Sequence, residues 1–269
     1  MVAMRHTFGD LLKSWRKARG LSQLEFATDA NVSQKHLSFI ESGRSSPSRE
    51  MVLLLSEHLE VPLRDRNALL MAAGFAPAFQ EKRLDDASLA TARKALDLII
   101  QGHEPFPALA VDRHWTLVAA NAAVQRLLDG VDAELLRPPV NVIRLSLDPR
   151  GLAPRILNLR QWRSHLLDRL RRQYRLTRDP IIDALLRELG SHPYTDNDAT
   201  TSPSIAGDMD GVAVPLQLAT PQGVLSFIST TTVFGTPTEI TLSELSLEAF
   251  YPADAATATL LTRPNTRES

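Results

Sequence analysis

The chain has 269 residues, of which 43% are apolar and 23% charged, with a formal net charge of −1 and no cysteine. This length and composition are typical of a globular protein with two domains and exclude a disordered class. The lack of cysteine excludes disulfides and cysteine-ligated metals. Since no apolar run reaches membrane-spanning length and no signal peptide is visible, we expect a cytoplasmic protein with no membrane partner.

Charge is distributed unevenly along the chain. Residues 1–83 contain 12 Lys and Arg against 9 Asp and Glu, a net charge of +3, whereas the remainder contains 18 against 22, a net charge of −4. The N-terminal excess permits nucleic-acid binding without establishing it, because a local basic surface matters more than a domain total.

Apolar residues recur at helical spacing before residue 16 and again after residue 50. The first stripe has basic side chains on its other sides. Together the two groups supply the core of a five-helix domain. They are Phe8, Leu11, Leu12 and Trp15, then Met51 to Leu55, Leu59 and Leu69 to Met71.

Residues 21–46, LSQLEFATDANVSQKHLSFIESGRSS, predict two short helices around a tight turn. Ser22 and Glu25 have the spacing of a capping box, so the first helix begins at Ser22. Asp29 to Val32 is the connecting turn, and Ser33 caps the second helix.

The second of these helices carries polar side chains suited to reading a DNA groove. Glutamine can pair with adenine and lysine with guanine, each good pair providing about 1–3 kcal/mol of base discrimination. After Gly43 ends the helix, backbone N–H groups, a guanidinium and two hydroxyls can meet phosphate. The alternative is a helical hairpin with a solvated polar face. The predicted contacts are Ser33, Gln34, Lys35, His36, Ser38, Arg44, Ser45 and Ser46.

Residues 8–77 resemble the helix-turn-helix of lambda-repressor-like (XRE) transcription regulators. More narrowly, QKHLSFIESGRSSPSREMVLLLSEHLEVPLRDRNALLMAAGFAPAF is similar to the opening of MmyB-like regulators, a branch with a second domain. The resemblance implies a DNA-backbone contact for Gln23 and base contacts for Gln34, Lys35 and Ser38. Phe39 stands at a position that is polar in several relatives.

The segment EKRLDDASLATARKALDLIIQGHEP predicts a connector: a polar stretch followed by a helix that ends at Gly102. One face of this helix is apolar. The helix either packs on its own domain or joins domains or protomers.

The C-terminal half predicts a hairpin, several helices and then three more strands. Ala108 to Val111 and Trp115 to Val118 are the hairpin strands, and Asn121 caps the next helix. Further helices begin at Asn158, with Gln161 completing a capping box, and at Asp179-Pro180. The last strands are Val212 to Leu218, Gly223 to Thr231 and Glu239 to Phe250, with a turn at residues 221–223.

This order predicts an α+β domain with an antiparallel sheet and its helices on one face. The order resembles a PAS-like fold, and DRHWTLVAANAAVQRLL, RGLAPRILNLRQW and ISTTTVFGTPTEITLSELSLEAFYPAD are similar to segments of the MmyB-type ligand-binding domain. The predicted fold class is therefore multi-domain, an all-α five-helix helix-turn-helix domain followed by an α+β PAS-like domain. The predicted divisions are 1–80 (DNA-binding), 81–103 (connector helix), 104–262 (ligand-binding) and 263–269 (tail).

The resemblance implies that the C-terminal domain accommodates a small hydrophobic molecule, with a fatty acid or fatty-acyl compound as the leading candidate. Trp162 is a candidate lid and Arg163 a candidate carboxylate anchor. The alternatives are plain core for the apolar residues and a solvated or acid-paired arginine. The other candidate pocket residues are Phe106, Trp115, Leu117, Leu166, Phe227 and Phe234.

Residues 155–178 hold eight arginines and one acid, Asp168, whereas residues 188–262 hold nine acids and neither Lys nor Arg. We expect the two regions to attract each other, within or between protomers. A second DNA-facing surface is the competing use of the arginines.

An enzyme is the less favoured class. The seven histidines form no zinc-hydrolase motif, and no Gly-x-Ser-x-Gly elbow or Gly-rich phosphate loop is present. His114 with Asp112 is the best acid-base pair, and an exposed turn is its plainer explanation. We therefore predict no catalytic residue, metal or cofactor.

The leading interpretation is a ligand-responsive regulator that binds double-stranded DNA as a homodimer. The alternatives are a DNA-binding antitoxin or scaffold whose second domain binds a protein partner, and an enzyme with a helical interaction module.

Overall fold

The computed structural model describes residues 7–191, 214–234 and 239–262. The chain forms two compact units. The first contains the described residues up to Arg83, together with 175–177 and 239–243, and the second contains the rest. The predicted succession of an all-α part and an α+β part is confirmed. Within the described ranges, no helix is both long and apolar enough to cross a membrane.

The first unit begins with five helices around one apolar core. Leu12 and Leu55 are fully buried there, as the predicted stripes require, and Phe26 is buried beside them. Met71, which the second stripe placed in the core, is instead 57% exposed. Helices α1 and α3 approach closely at Gly9, where a Cβ atom would lie 2.6 Å from the carbonyl oxygen of Glu41. Any larger residue would push the helices apart. The helices are α1 (Phe8–Ala18), α2 (Gln23–Asp29), α3 (Gln34–Glu41), α4 (Arg49–His58) and α5 (Leu63–Ala72).

The predicted signals around the helix-turn-helix are confirmed. The Ser22 hydroxyl accepts from the Glu25 N–H and the Glu25 carboxylate accepts from the Ser22 N–H, which is the predicted capping box. Ser33 caps α3 by accepting from the His36 N–H at 3.2 Å. The turn between α2 and α3 contains Asn31 at a φ of 52°, a left-handed conformation that asparagine tolerates better than most residues.

A short later segment completes the first unit. Glu239 accepts from the backbone N–H of Leu242 at 3.0 Å and of Lys82 at 2.8 Å, and helix α11 (Ile240–Ser243) follows it. Burial would raise the pKa of Glu239, but these backbone hydrogen bonds lower it below its ordinary value. The predicted strand Glu239 to Phe250 is therefore wrong in its first half, because the Glu239 carboxylate caps a helical turn.

Five strands within the described residues form the antiparallel sheet of the second unit, in the order β2-β1-β5-β4-β3. The last strand lies centrally because it pairs with both β1 and β4. The predicted strand from Val212 begins outside the described residues, and the strand that the structure describes starts at Leu216, directly after Pro215. The strands are β1 (Ala108–Val111), β2 (Leu117–Ala120), β3 (Leu216–Thr220), β4 (Gly223–Val233) and β5 (Ser246–Pro252).

Helices cover both faces of this sheet, so the prediction of helices on one face is wrong. In β1, Leu109 and Val111 belong to one apolar cluster, whereas Ala108 and Ala110 belong to another that includes α6. Alternate strand residues point to opposite faces, which permits the two layers. The helices are α6 (Ala90–Gln101), α7 (Ala122–Leu127), α8 (Val142–Leu147), α9 (Leu159–Thr177), α10 (Pro180–Ser191) and α12 (Ala255–Thr262).

Asn121 and Asn158 differ in how well the sequence predicted their roles. The Asn121 side chain caps α7 as expected, accepting from the Val124 N–H. Asn158 precedes α9 but makes no capping bond, so its predicted capping box is wrong. Its side chain instead donates to the carbonyl of Pro215 and accepts from the N–H of Gln217, which ties the start of α9 to β3.

Candidate DNA interface and ligand-binding domain

Helix α3 presents the predicted DNA-contacting side chains on its outer surface. Its inner positions are filled by Leu37 and Ile40, which are fully buried. The outer residues are thereby left to solvent. Ser33, Gln34, Lys35, Arg44 and Ser46 are exposed, while His36, Ser38 and Ser45 are partly exposed.

The turn after α3 folds back onto the helix. Gly43 has a φ of +72°, a conformation that glycine adopts without a steric penalty. The backbone N–H groups of Arg44 and Ser45 then donate to the carbonyl oxygen of Phe39 at 2.8 and 3.2 Å. These two N–H groups are thus already satisfied, contrary to the predicted use for phosphate. The side chains of Arg44 and Ser46, which are exposed, and of Ser45, which is partly exposed, remain candidates for phosphate contact.

A buried ion pair fixes the helix-turn-helix from within. Arg16 on α1 donates to both carboxylate oxygens of Glu41 at 2.6 and 2.9 Å, and these side chains are 7% and 2% exposed. Gln23 donates to the same carboxylate at 2.8 Å. Burial would raise the pKa of Glu41, but the hydrogen bonds from Arg16 and Gln23 lower it. Sequence reasoning missed this network, which engages the Gln23 amide that the resemblance assigned to the DNA backbone.

The eight predicted ligand-binding residues do not form one surface. Trp115, Trp162, Leu166 and Phe227 are buried in the larger core cluster of the second unit, with Leu117 packed against it. Phe234 belongs to the separate cluster around α6, and Phe106 lies edge-on to His103 with ring centroids 5.9 Å apart. The prediction that all eight residues line one pocket is therefore wrong.

Trp162 and Arg163 are also engaged in other ways than predicted. Trp162 is 5% exposed and its indole N–H donates to the Ser146 hydroxyl at 2.9 Å, so it is a core residue rather than a surface lid. Arg163 donates to the carbonyls of Leu189 and Gly190 near the end of α10. A ligand carboxylate would have to compete with these carbonyls.

The second unit contains a partly buried polar network that the sequence did not predict. Arg169 on α9 donates to both oxygens of Glu248 on β5 at 3.1 and 2.5 Å, and to the Thr231 hydroxyl at 2.6 Å. Its guanidinium also lies 4.5 Å from the centre of the Trp115 ring. Trp115 has a φ of +68°, a strained conformation for a bulky residue, and its indole N–H donates to Gln173 at 2.9 Å.

This network contains one contact of the kind expected between the Arg-rich and acidic regions. The Arg169 to Glu248 pair joins them within one chain. Arg171, by contrast, pairs with Asp168 on its own helix. The signal in the sequence was the opposite charge of the two regions, although it could not specify the partners.

His114 pairs with an acid other than the one predicted. Its ring Nε2 lies 2.9 Å from Asp179, whereas Asp112 accepts from the backbone N–H groups of His114 and Thr116 and so shapes the turn. Burial would raise the pKa of Asp179, but hydrogen bonds from His114 and the Ile181 N–H lower it below its ordinary value. The predicted pairing of His114 with Asp112 is therefore wrong.

We expect Asp179→Asn to make the stability of the second unit depend less on pH in the acid range. A carboxyl with a lowered folded pKa stabilises the fold above its unfolded pKa of about 3.9 and loses this effect as pH falls through the folded value. The difference in melting temperature between wild type and variant should therefore be largest near neutral pH and shrink below about pH 4. Asp97→Asn, at an exposed position on α6, is the matched control. A pH-independent difference for Asp179→Asn would contradict the assignment.

An outward-facing polar recognition helix, fixed by two caps and a buried ion pair, defines a helix-turn-helix DNA-binding protein. Its second part is a mixed helix and sheet domain. Residues 12–65 match the helix-turn-helix family, and residues 92–263 match the MmyB-like transcription regulator ligand binding domain. The chain belongs to the MmyB-like transcription regulators. It is a transcriptional regulator with a DNA-binding domain and a ligand-binding domain.

Curated relatives agree with this class. The chain is 35% identical over 79 residues to the transcriptional regulator ClgR of Mycobacterium tuberculosis, in strains CDC 1551 / Oshkosh and ATCC 25618 / H37Rv. The match covers 29% of this chain and 68% of ClgR. Among solved structures, an RNA-binding light-oxygen-voltage receptor aligns with a TM-score of 0.25 and 14% identity, covering 95% of this chain and 60% of the receptor chain. That likeness supports no inference.

Proposed function

We propose that this regulator binds specific double-stranded DNA sequences and responds to a small hydrophobic ligand, with a fatty acid or fatty-acyl compound as the first candidate. The observation that carries the proposal is helix α3, whose Gln34 and Lys35 are exposed on a helix anchored by buried Leu37 and Ile40. Bases in the major groove are read by such side chains. Gln23, Ser33, His36, Ser38, Arg44, Ser45 and Ser46 complete the proposed interface.

The DNA-binding form is proposed to be a homodimer. Recognition helices of a dimer enter successive major grooves about 34 Å apart, so two half-sites are read together. Helix α6 supports a role for the connector in joining protomers, because Leu98 and Ile99 are exposed on it although both are large and apolar. A ligand must bind one dimer geometry better than the other, since equal affinity for both would shift nothing.

The ligand-binding part is proposed to be PAS-like and to span residues 104–262, after a DNA-binding domain over 1–80 and a connector over 81–103. Two strands, helices and three further strands support the PAS-like assignment. The buried apolar cluster around Trp115 and Phe227 supports the proposed ligand class, because an alkyl chain needs apolar surroundings of this kind.

Substitutions on α3 and in the turn after it should separate base reading from phosphate binding. Gln34→Ala or Lys35→Ala is expected to reduce preference for a specific duplex by about 1–3 kcal/mol, the range for one good base contact. Arg44→Ala should weaken binding to specific and scrambled duplexes alike. It should also lower the slope of log affinity against log salt concentration by about one counterion. Binding titrations at several salt concentrations measure both effects. Equal effects of all three substitutions on both duplexes would argue against these roles.

The ligand is tested by extracting bound small molecules from the purified full-length protein and identifying them by mass spectrometry. A copurifying fatty acid or acyl compound that changes duplex affinity on readdition is the expected result. A hydrophobic compound of another class that changes this affinity would replace the fatty-acyl candidate. If no compound affects DNA binding and a protein copurifies instead, the antitoxin or scaffold interpretation is favoured.

A further inference from the structure

Phe39 is an aromatic residue on the outer side of the recognition helix. It is partly exposed, and the buried positions of α3 on either side of it are Leu37 and Ile40. In the described part of the first unit, Phe39 does not belong to the apolar core cluster or to the residues packed against it. Core packing therefore does not account for a phenylalanine at this position.

Two cations approach the Phe39 ring. The Lys35 ammonium and the Arg44 guanidinium each lie 5.7 Å from the ring centre. Lys35 is one helical turn before Phe39 and so shares its face. Arg44 is brought back by the left-handed Gly43 and by the hydrogen bond from its N–H to the Phe39 carbonyl. At such distances the negative face of the ring attracts a cation, so Phe39 favours one placement of both side chains.

The position of the ring also suggests what it contacts on DNA. Lys35 is proposed to meet a base and Arg44 a phosphate, so the ring between them faces the major groove. The apolar group that a base presents in that groove is the C5 methyl of thymine. A phenylalanine there gains affinity where this methyl is present, because against a polar base edge the ring would displace the water bound to that edge without replacing its hydrogen bonds.

We propose that Phe39 is a specificity-determining residue that contacts a thymine methyl while positioning Lys35 and Arg44. The inference rests on the proposed sequence-specific DNA binding and adds thymine recognition to it. Lys35 and Arg44 supply the positive charge, and Phe39 adds a preference for thymine, the DNA base that carries a C5 methyl group.

The test begins with a duplex selected by the full-length protein from a randomised pool. Each thymine in it is then replaced singly by deoxyuridine, which lacks only the C5 methyl. Wild type should lose about fourfold in affinity at one position in each half-site, the ratio that corresponds to burying one methyl group. Phe39→Ala and Phe39→Gln should abolish this difference, while Phe39→Tyr should keep it. Met71→Ala, at an exposed apolar position on α5, is the control that should also keep it.

The readout is a ratio between two duplexes on the same variant, so a reduced folded fraction lowers both affinities and leaves the ratio unchanged. Wild-type indifference to every deoxyuridine, or a fourfold loss that persists in Phe39→Ala and Phe39→Gln, would overturn thymine contact. The positioning role predicts that Lys35→Ala costs less affinity in the Phe39→Ala background than in wild type. Strictly additive losses would overturn that role. If the pool yields no enriched duplex, the proposed function itself fails, and this inference with it.

Discussion

Glu41→Ala is expected to destabilise the first unit by about 3–5 kcal/mol, the usual cost of breaking a buried ion pair by removing one partner. The substitution leaves the Arg16 guanidinium buried without its carboxylate and also removes the partner of Gln23. Hydrogen exchange of peptides from α1 to α3, read by mass spectrometry, measures the effect in this unit alone. Specific DNA binding should fall with it, because α3 carries the proposed base-contacting residues.

Two further variants make the Glu41 result interpretable. Glu57→Ala removes an exposed carboxylate on α4 and should change the free energy of unfolding by less than about 1 kcal/mol. The double variant Arg16→Met with Glu41→Leu replaces the pair by apolar side chains and should recover most of the loss. If Glu41→Ala behaves like Glu57→Ala, the buried pair does not stabilise the helix-turn-helix.

Glu248→Ala is expected to destabilise the second unit by about 2–4 kcal/mol, since it leaves Arg169 unpaired in a partly buried site. The Arg169 side chain is 24% exposed, so water can solvate it in part, and we expect a smaller cost than for Glu41→Ala. Exchange protection in peptides from β1, β4 and α9 should fall together.

Glu134→Ala provides the matched control for Glu248→Ala. Glu134 forms an exposed ion pair with Arg137, three residues away, and such pairs contribute about 0–1 kcal/mol. A Glu248→Ala effect as small as this, or one confined to β5, would show that the network does not join the helix and sheet layers.

The helix-turn-helix could be predicted closely because its signals are local. Ser22 and Glu25 are three residues apart, and Ser33 acts on the N–H of His36. The glycine at position 43 likewise forms its turn with immediate neighbours. Each of these caps and turns depends on residues within about one helical turn of each other, so it can be recognised from the spacing of residues in the sequence.

Pairings across the fold could not be predicted in the same way. Arg16 and Glu41 are 25 residues apart, and Arg169 and Glu248 are 79 apart, so no local spacing identifies the partners. Glu239 lies in a segment rich in β-branched residues, so the sequence predicted a strand there rather than a helix cap. The sequence alone does not distinguish apolar residues such as Phe234 and Trp115, although they belong to different apolar clusters of the second unit.

The central claim is that exposed side chains of α3 read specific bases. Selection of duplexes from a randomised pool by the full-length protein tests this most directly. The proposed homodimer predicts enrichment of two related half-sites with centres about 34 Å apart, one helical turn of DNA. Wild-type enrichment that is unchanged in a Gln34→Ala and Lys35→Ala double variant, or no enrichment by wild type, would contradict the claim.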